Sequence, residues 1–375
     1  MVGWCQLSLI FPDKYYPALA VNPSEMTALE ELPEFAKDDL FPIIKFSPWA
    51  TSKEYSKSVD RVVKAVGNRL VIASIDQSYS STSKEVRPAR LFHNQIVSGE
   101  NRERDWLEFI EPFENLIPCF GVSNDRIEKL KTVVEQGIKL GRGVVLQLNA
   151  EASPDGSIFF KDSAALISIL ERELNNENLE EIGVLIDCGH CLNLERSRGD
   201  VENLVNELRE FSQIHIIFCS GTFPASFVPY EKISLQKIDS RLVFDAVKVA
   251  TNAINLSYSD LSSTRLGVSK SSGGSKHTPK RIDYPLSKHW VISRHKTEGW
   301  SFQTAAVKLM ESKYWDENRP DVYGVKRIEA TASNTTGKIT TLGTNTTARI
   351  NIHLYVQSQY GSLKNVISTD EPYQD

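Results

Sequence analysis

The sequence predicts a (β/α)8 barrel, and three observations carry that expectation. Eight short β-branched runs occur within the first 260 of the 375 residues. These runs are near-continuously apolar, as parallel strands covered on both faces are. A segment of helical period sits in every gap between them, as the crossovers of parallel pairing require. An open doubly wound sheet is the alternative. It would usually show a Gly-rich turn after its first strand, where this chain has Asn22-Pro23-Ser24.

In chain order, residues 15–20 (YYPALA) form the first strand. A helix is expected over 23–36, with Ser24 as N-cap before the apolar Met26, Leu29 and Leu32. The second strand is 40–47, and a helix over 51–66 places Val59, Val62, Val63 and Val66 on one face. The third strand, 69–76, leads into a long polar stretch and a helix near 102–114. The fourth strand is 116–123, and Asn124 or Asp125 caps a helix that ends at Gly141. Strands five to eight fall at 143–149, 182–187, 214–220 and 254–260, with helices at 161–174, 200–211 and 241–253 between them. A helix at 301–314 is expected to close the barrel. Between it and the eighth strand lies a Ser/Gly-rich stretch and a possible hairpin, 282–284 with 290–293. Residues 331–347, rich in Ser, Thr, Gly and Asn, read as a mobile loop, and order resumes at 348–357. The whole chain then reads as one barrel domain. Its core is about 14–260 plus helix 301–315, with an insertion at 261–296 and a C-terminal extension at 316–375.

Composition narrows the class. A 41% hydrophobic chain with 43 Lys+Arg against 48 Asp+Glu is globular rather than disordered. No run approaches the ~18 apolar residues of a membrane span. The N-terminus shows neither a basic n-region nor a small-residue cleavage site, so no signal peptide is expected. Five cysteines at irregular spacing suggest reduced thiols in a cytoplasm. The net charge of −5 is uneven: residues 261–296 hold eight basic groups against Asp283 alone, a local +7 that leaves −12 elsewhere. Those eight are Arg265, Lys270, Lys276, Lys280, Arg281, Lys288, Arg294 and Lys296. His277, His289 and His295 add charge when protonated, and Tyr284 and Trp290 are candidate stacking partners. The plain alternative is a solvated linker.

Three segments resemble one family, the phage and prophage beta proteins. They are YYPALAVNPSEMTALEEL followed by LFPIIKF, the pair YSDLSS and YPLSKHWVISRH, and ARINIHLY near the C-terminus. None is a catalytic signature. The resemblance implies a TIM-barrel-like chain carried by phages, prophages and mobile islands, acting in phage–host conflict. It also implies an acidic residue closing the second strand, where this chain has Lys45.

Active sites of (β/α)8 barrels lie at the C-terminal strand ends. There the sequence offers Lys45, Asp76 with Gln77, Ser123, Asn149, Asp187 with His190, Ser220 with Thr222, and Asp260. Asp76, Asp187 and Asp260 are candidate ligands for Mg2+ or Mn2+, or an acid–base pair with separated pKa values. Helix capping is the bland reading for each. Gly221-Thr222-Phe223-Pro224 falls where barrels often bind phosphate. Cys188-Gly189-His190-Cys191 looks like a thiol–disulfide motif but follows a strand, so a turn with buried thiols is expected. His353 reads as a structural hydrogen-bonder. No nucleophile elbow, Walker loop or dinucleotide fingerprint occurs.

Three functions remain open from sequence. The first is recognition of an anionic ligand (nucleotide, nucleic acid or phosphorylated molecule) at the mouth by Asn149, His190, Ser220, Thr222, Arg281, Arg294 and His295. The second is a metal-assisted phosphate-ester hydrolase using Asp76, Asp187 and Asp260, with Lys45 and Arg294 countering phosphoryl charge. The third is a non-catalytic scaffold for a phage or host protein. No membrane partner is expected.

Overall fold

The computed structural model describes residues 10–50, 52–79, 87–191, 194–224, 226–227, 232–262, 264, 280–295, 301–315 and 319–361. Its elements in chain order are β1 (Tyr16–Ala20), α1 (Pro23–Glu30), α2 (Glu34–Asp38), β2 (Ile43–Phe46), α3 (Lys57–Val66), β3 (Val71–Ile75), α4 (Pro88–Ser98), α5 (Arg102–Ile110) and β4 (Leu116–Gly121). There follow α6 (Ile127–Ile138), β5 (Val144–Asn149), the short pair β6 (Glu151–Ala152) and β7 (Ile158–Phe159), α7 (Ser163–Asn175), β8 (Ile182–His190), α8 (Arg198–Leu208) and β9 (His215–Gly221). The last are β10 (Lys232–Lys237), α9 (Asp239–Thr251), β11 (Leu256–Asp260), β12 (Ile282–Pro285), β13 (His289–Arg294), α10 (Phe302–Met310), α11 (Tyr323–Ala332) and α12 (Leu342–Ser358).

Eight strands close a parallel barrel in the order β1-β11-β9-β8-β5-β4-β3-β2. Alternation along each strand divides its apolar residues between two cores. Tyr16, Ala18, Ile43, Ile72, Val145, Leu185 and Ile217 fill the barrel interior, where Phe11 and Phe41 also pack. The intervening residues, such as Leu19, Ile44, Leu146, Ile186 and Phe218, face the helical layer. Both faces are therefore buried, which is why the runs are continuous and not alternating.

Five expectations need correction. The helix expected over 23–36 is two helices: Pro33 precedes α2 and lacks the N–H to continue α1. Asn22, not Ser24, caps α1, accepting the Glu25 N–H. The hairpin after the eighth strand exists, but it joins β10 in a three-stranded antiparallel sheet, order β10-β13-β12. Helix α10 buries Phe302, Ala305 and Leu309 against that sheet, so it is not the barrel's eighth helix. That place belongs to α12, whose Ile350 and Leu354 enter the helix–barrel core while Ala348 and Ile352 enter the sheet-side core.

The segment 331–347 is ordered, not a mobile loop. Thr331 lies in the last turn of α11, and its hydroxyl accepts the Ile339 N–H at 2.8 Å, with Ile339 buried. Thr341 and Thr344 then cap α12 reciprocally. Gly324 allows α11 to lie directly on α12, since a Cβ there would collide with the Ala348 carbonyl.

Candidate functional site

Side chains at the strand ends divide by phase. Lys45 follows Ile43 inward, Ser74 follows Ile72, Gln147 and Asn149 follow Val145, and Asp187 follows Leu185. These five meet in one network at the mouth. Lys45 Nζ lies 3.0 Å from Asp187 Oδ2. The Gln147 amide donates to Asp187 Oδ2 at 3.1 Å and to Asn149 Oδ1 at 2.8 Å. Gln147 Oε1 accepts from Ser74 Oγ at 2.9 Å and from the Cys119 thiol at 3.7 Å. The Gly189 N–H donates to Asp187 Oδ1 at 2.9 Å, from a turn whose φ of +60° suits glycine.

The electrostatics follow from burial. Desolvation alone would lower the Lys45 pKa, yet Asp187 outweighs it and holds the ammonium above the ordinary lysine value. The mouth thus holds the Lys45 ammonium against the Asp187 carboxyl group. Burial pushes the Cys119 thiol up to about 12 and the Cys219 thiol above its usual range, so both stay protonated.

Glu25 stands at the rim of this network. Its carboxyl accepts from the Ala20 N–H and the Asn22 amide. Ala20 pairs with Lys45 in the β1–β2 ladder. Burial raises the Glu25 pKa from 4.5 to about 7, against the lowering effect of those hydrogen bonds.

Other candidates go elsewhere. Asp260 is in phase with Tyr258, not with the inward Ser259, and so faces the helical layer. It accepts from Tyr15 Oη at 2.5 Å, Tyr258 Oη at 2.8 Å, His353 Nε2 at 2.7 Å and the Ser262 N–H at 2.8 Å. Burial would raise its pKa, but His353 and the two tyrosines hold it below the ordinary value. Asp76 turns back on its own loop, accepting from the Ser78 N–H and hydroxyl. Asp260 therefore does not converge with the other two, while Asp76 still acts on Lys45 electrostatically. Among the described residues no three His, Cys, Asp or Glu side chains gather closely enough for one ion, so the residues present do not fit the expected Mg2+ or Mn2+ centre.

Ser220 also faces outward, 3.5 Å from the Gly189 carbonyl, and Ser123 bonds Asp125. Thr222 pairs with Ser240 at 3.3 Å, and His190 Nε2 meets the Phe223 carbonyl at 2.7 Å. The void at this turn measures about 10 Å3, the space of a single water rather than of a phosphate. Cys188 and Cys191 are buried in the helix–barrel core and not in a disulfide, and burial raises the Cys188 pKa, which disfavours the reactive thiolate.

The basic segment is folded where it is described. Arg281 pairs with Asp283 at 2.8 Å and stacks at 3.4 Å on Phe227. Arg349 of α12 reaches the other Asp283 oxygen at 2.8 Å. Arg294 donates to the Phe227 carbonyl, and His295 meets Ser293 Oγ at 3.1 Å. Lys288 lies 4.0 Å from Asp245. Arg265, Lys270, Lys276 and Lys296 lie outside the described residues.

Of the sequence candidates, the structure thus brings together Lys45, Asp187 and Asn149. Sequence reasoning missed Ser74, Gln147 and Glu25. Strand phase could have found the first two, each two residues before a chosen strand-end residue. The Asn-x-x-Glu spacing at the start of α1 marks the third.

A closed parallel barrel with a hydrogen-bonded polar mouth defines the chain as a TIM-type α/β barrel protein. The sequence comparisons carry this further. The family model described as Beta protein matches residues 15–359, and the chain belongs to that family. "Protein beta" of Enterobacteria phage P4 is 24% identical over 357 residues, covering 92% of each chain. No helix among the described residues is long and apolar enough to cross a membrane.

Proposed function

We propose that this beta-family protein acts in phage–host conflict by recognising an anionic ligand, a nucleotide, nucleic acid or other phosphorylated molecule, at its barrel mouth. Family membership and a phage-borne relative support the setting. The observation that carries the ligand class is Lys45. Among the described residues its ammonium gives one hydrogen bond, to Asp187, and keeps two further N–H donors at the strand ends where barrels bind ligands. Asn149 and the Gln147 amide fix the geometry around it. The three-carboxylate metal form of the hydrolase alternative loses its support with Asp260 turned away from the mouth.

The test is mass spectrometry of small molecules and nucleic acid that co-purify at low salt. The comparison is the double variant Lys45→Met/Asp187→Leu, which removes both charges and leaves no lone buried ion. Phosphorylated species recovered with the wild type and lost from the variant are the expected result. Recovery of a neutral ligand, or equal recovery from both proteins, overturns the reading.

A further inference from the structure

A second feature of the mouth is absent from the sequence reading. Strands β3 and β4 pair in parallel from Val71–Leu116 to Ala73–Pro118, and the ladder ends there. Yet β3 continues to Ile75, still paired with β2, and β4 continues to Gly121, still paired with β5. Pro118 has no N–H to offer in a central strand, which accounts for the parting. Residues 74–75 and 119–121 consequently face each other across a slot.

The slot leads from the barrel interior into the helical layer. Ser74 and Gln147 line it from the barrel, and Arg102, Glu103 and Trp106 from α5. Its volume is about 50 Å3, room for roughly three to five waters on the scale where ~10–15 Å3 holds one. Two features make its wall rich in donors. Among the described residues Arg102 spends Nε on Glu103 at 2.9 Å and Nη1 on the Val97 carbonyl at 3.4 Å, and has N–H groups left over. Glu103 is also gripped by Arg126 at 2.6 and 2.7 Å, so two guanidinium groups share one carboxylate. The nearby acids Asp125 and Glu100 are exposed and bonded to Ser123 and Lys129. Trp106 is fully buried, and its indole N–H has no partner among the described residues. A buried donor without a partner costs ~1–3 kcal/mol, a cost that a ligand acceptor would remove.

We infer that the slot between β3 and β4 accepts a compact oxyanion, the phosphate or carboxylate group of the ligand, held by Arg102 and the Trp106 indole N–H. This rests on the reading of the mouth as an anion site. Gln147 joins the two parts, accepting from Ser74 at the slot while donating to Asp187 beside Lys45. The basic segment 261–296 is not needed for it.

The experiment follows the six tryptophan indole N–H resonances of the 15N-labelled full chain, with Trp106 assigned through Trp106→Phe. Inorganic phosphate and acetate are titrated separately, with chloride holding ionic strength constant. A saturable movement of the Trp106 resonance with one of them, weakened about tenfold or more in Arg102→Gln, is expected for a lost charge-assisted hydrogen bond. Phosphate identifies a phosphorylated ligand, and acetate alone a carboxylate. Saturable binding with Trp106 unmoved overturns the inference, as does binding unchanged in Arg102→Gln or no saturable binding of either anion. The Lys45→Met/Asp187→Leu variant separates the two readings. Binding that survives Arg102→Gln and fails in the double variant removes the slot and keeps the mouth. The reverse pattern keeps the slot and removes Lys45 from recognition.

Discussion

Glu25 shows how one residue's environment sets a measurable property. Its carboxyl is 3% exposed, and burial raises its pKa to about 7 in the folded chain from an ordinary 4.5. The folded state therefore holds the proton more tightly than the unfolded state. This contribution to stability is complete below about pH 4.5 and is lost as pH rises to about 7. Glu25→Gln keeps one neutral acceptor and removes the titrating proton. Its stability relative to the wild type should rise between pH 5 and pH 8 by on the order of 2–3 kcal/mol. Chemical denaturation at the two pH values checks this, and equal differences at both would remove Glu25 as the titrating group. The same scale explains what sequence reading found and missed. Lys45, Asn149 and Asp187 were visible as polar ends of apolar strands. Asp260 looked equivalent, but its phase with Tyr258 sends it outward. Gln147 was hidden because a polar residue inside an apolar run reads as an interruption until its inward phase is known.

At the scale of elements, α12 depends on a buried polar seam. Its His353 is fully buried and bonds Asp260, Asn351 donates to the Ala28 carbonyl at 2.9 Å, and Gln357 accepts from Arg241 at 2.7 and 3.0 Å. Arg241 also lies 3.4 Å from the Tyr258 ring centroid. Cutting one partner from such a pair leaves an uncompensated buried group. Asp260→Asn or His353→Leu should cost about 3–5 kcal/mol. Amide exchange should quicken first in α12 and leave β5 and β8 protected. Urea unfolding with exchange mass spectrometry reads both, and uniform loss of protection would contradict a local seam. The depressed Asp260 pKa gives the matching pH sign: this stabilisation is present above the ordinary carboxyl value of 3.8 and disappears as pH falls below the folded one. The sequence concealed this element because ARINIHLY mixes polar and apolar residues on every side of a helix that is buried on two faces.

On the scale of the molecule, the barrel and the sheet β10-β13-β12 are joined by α12, which belongs to both cores. A chain ending at residue 315 would retain all eight barrel strands yet uncover the surfaces that Ile350 and Leu354 bury. It should lose the cooperative thermal transition of the full chain, followed by circular dichroism. A transition of full cooperativity in the shortened chain would show that α12 is dispensable. The eight strands and most of the helices between them were legible in the sequence because hydrophobic periodicity is a local property of the chain. The family was legible from short segments for the same reason. The charge pattern misled, since counting eight basic residues could not reveal that Arg281 and Arg349 share Asp283 inside a sheet-side core. The mouth itself was decided only by the tertiary structure. Lys45 and Asp187 stand 142 residues apart, and the closure of the barrel alone brings them to 3.0 Å. Strand ends can be read from composition, but which of them meet depends on phase, register and closure, which are relations between distant segments.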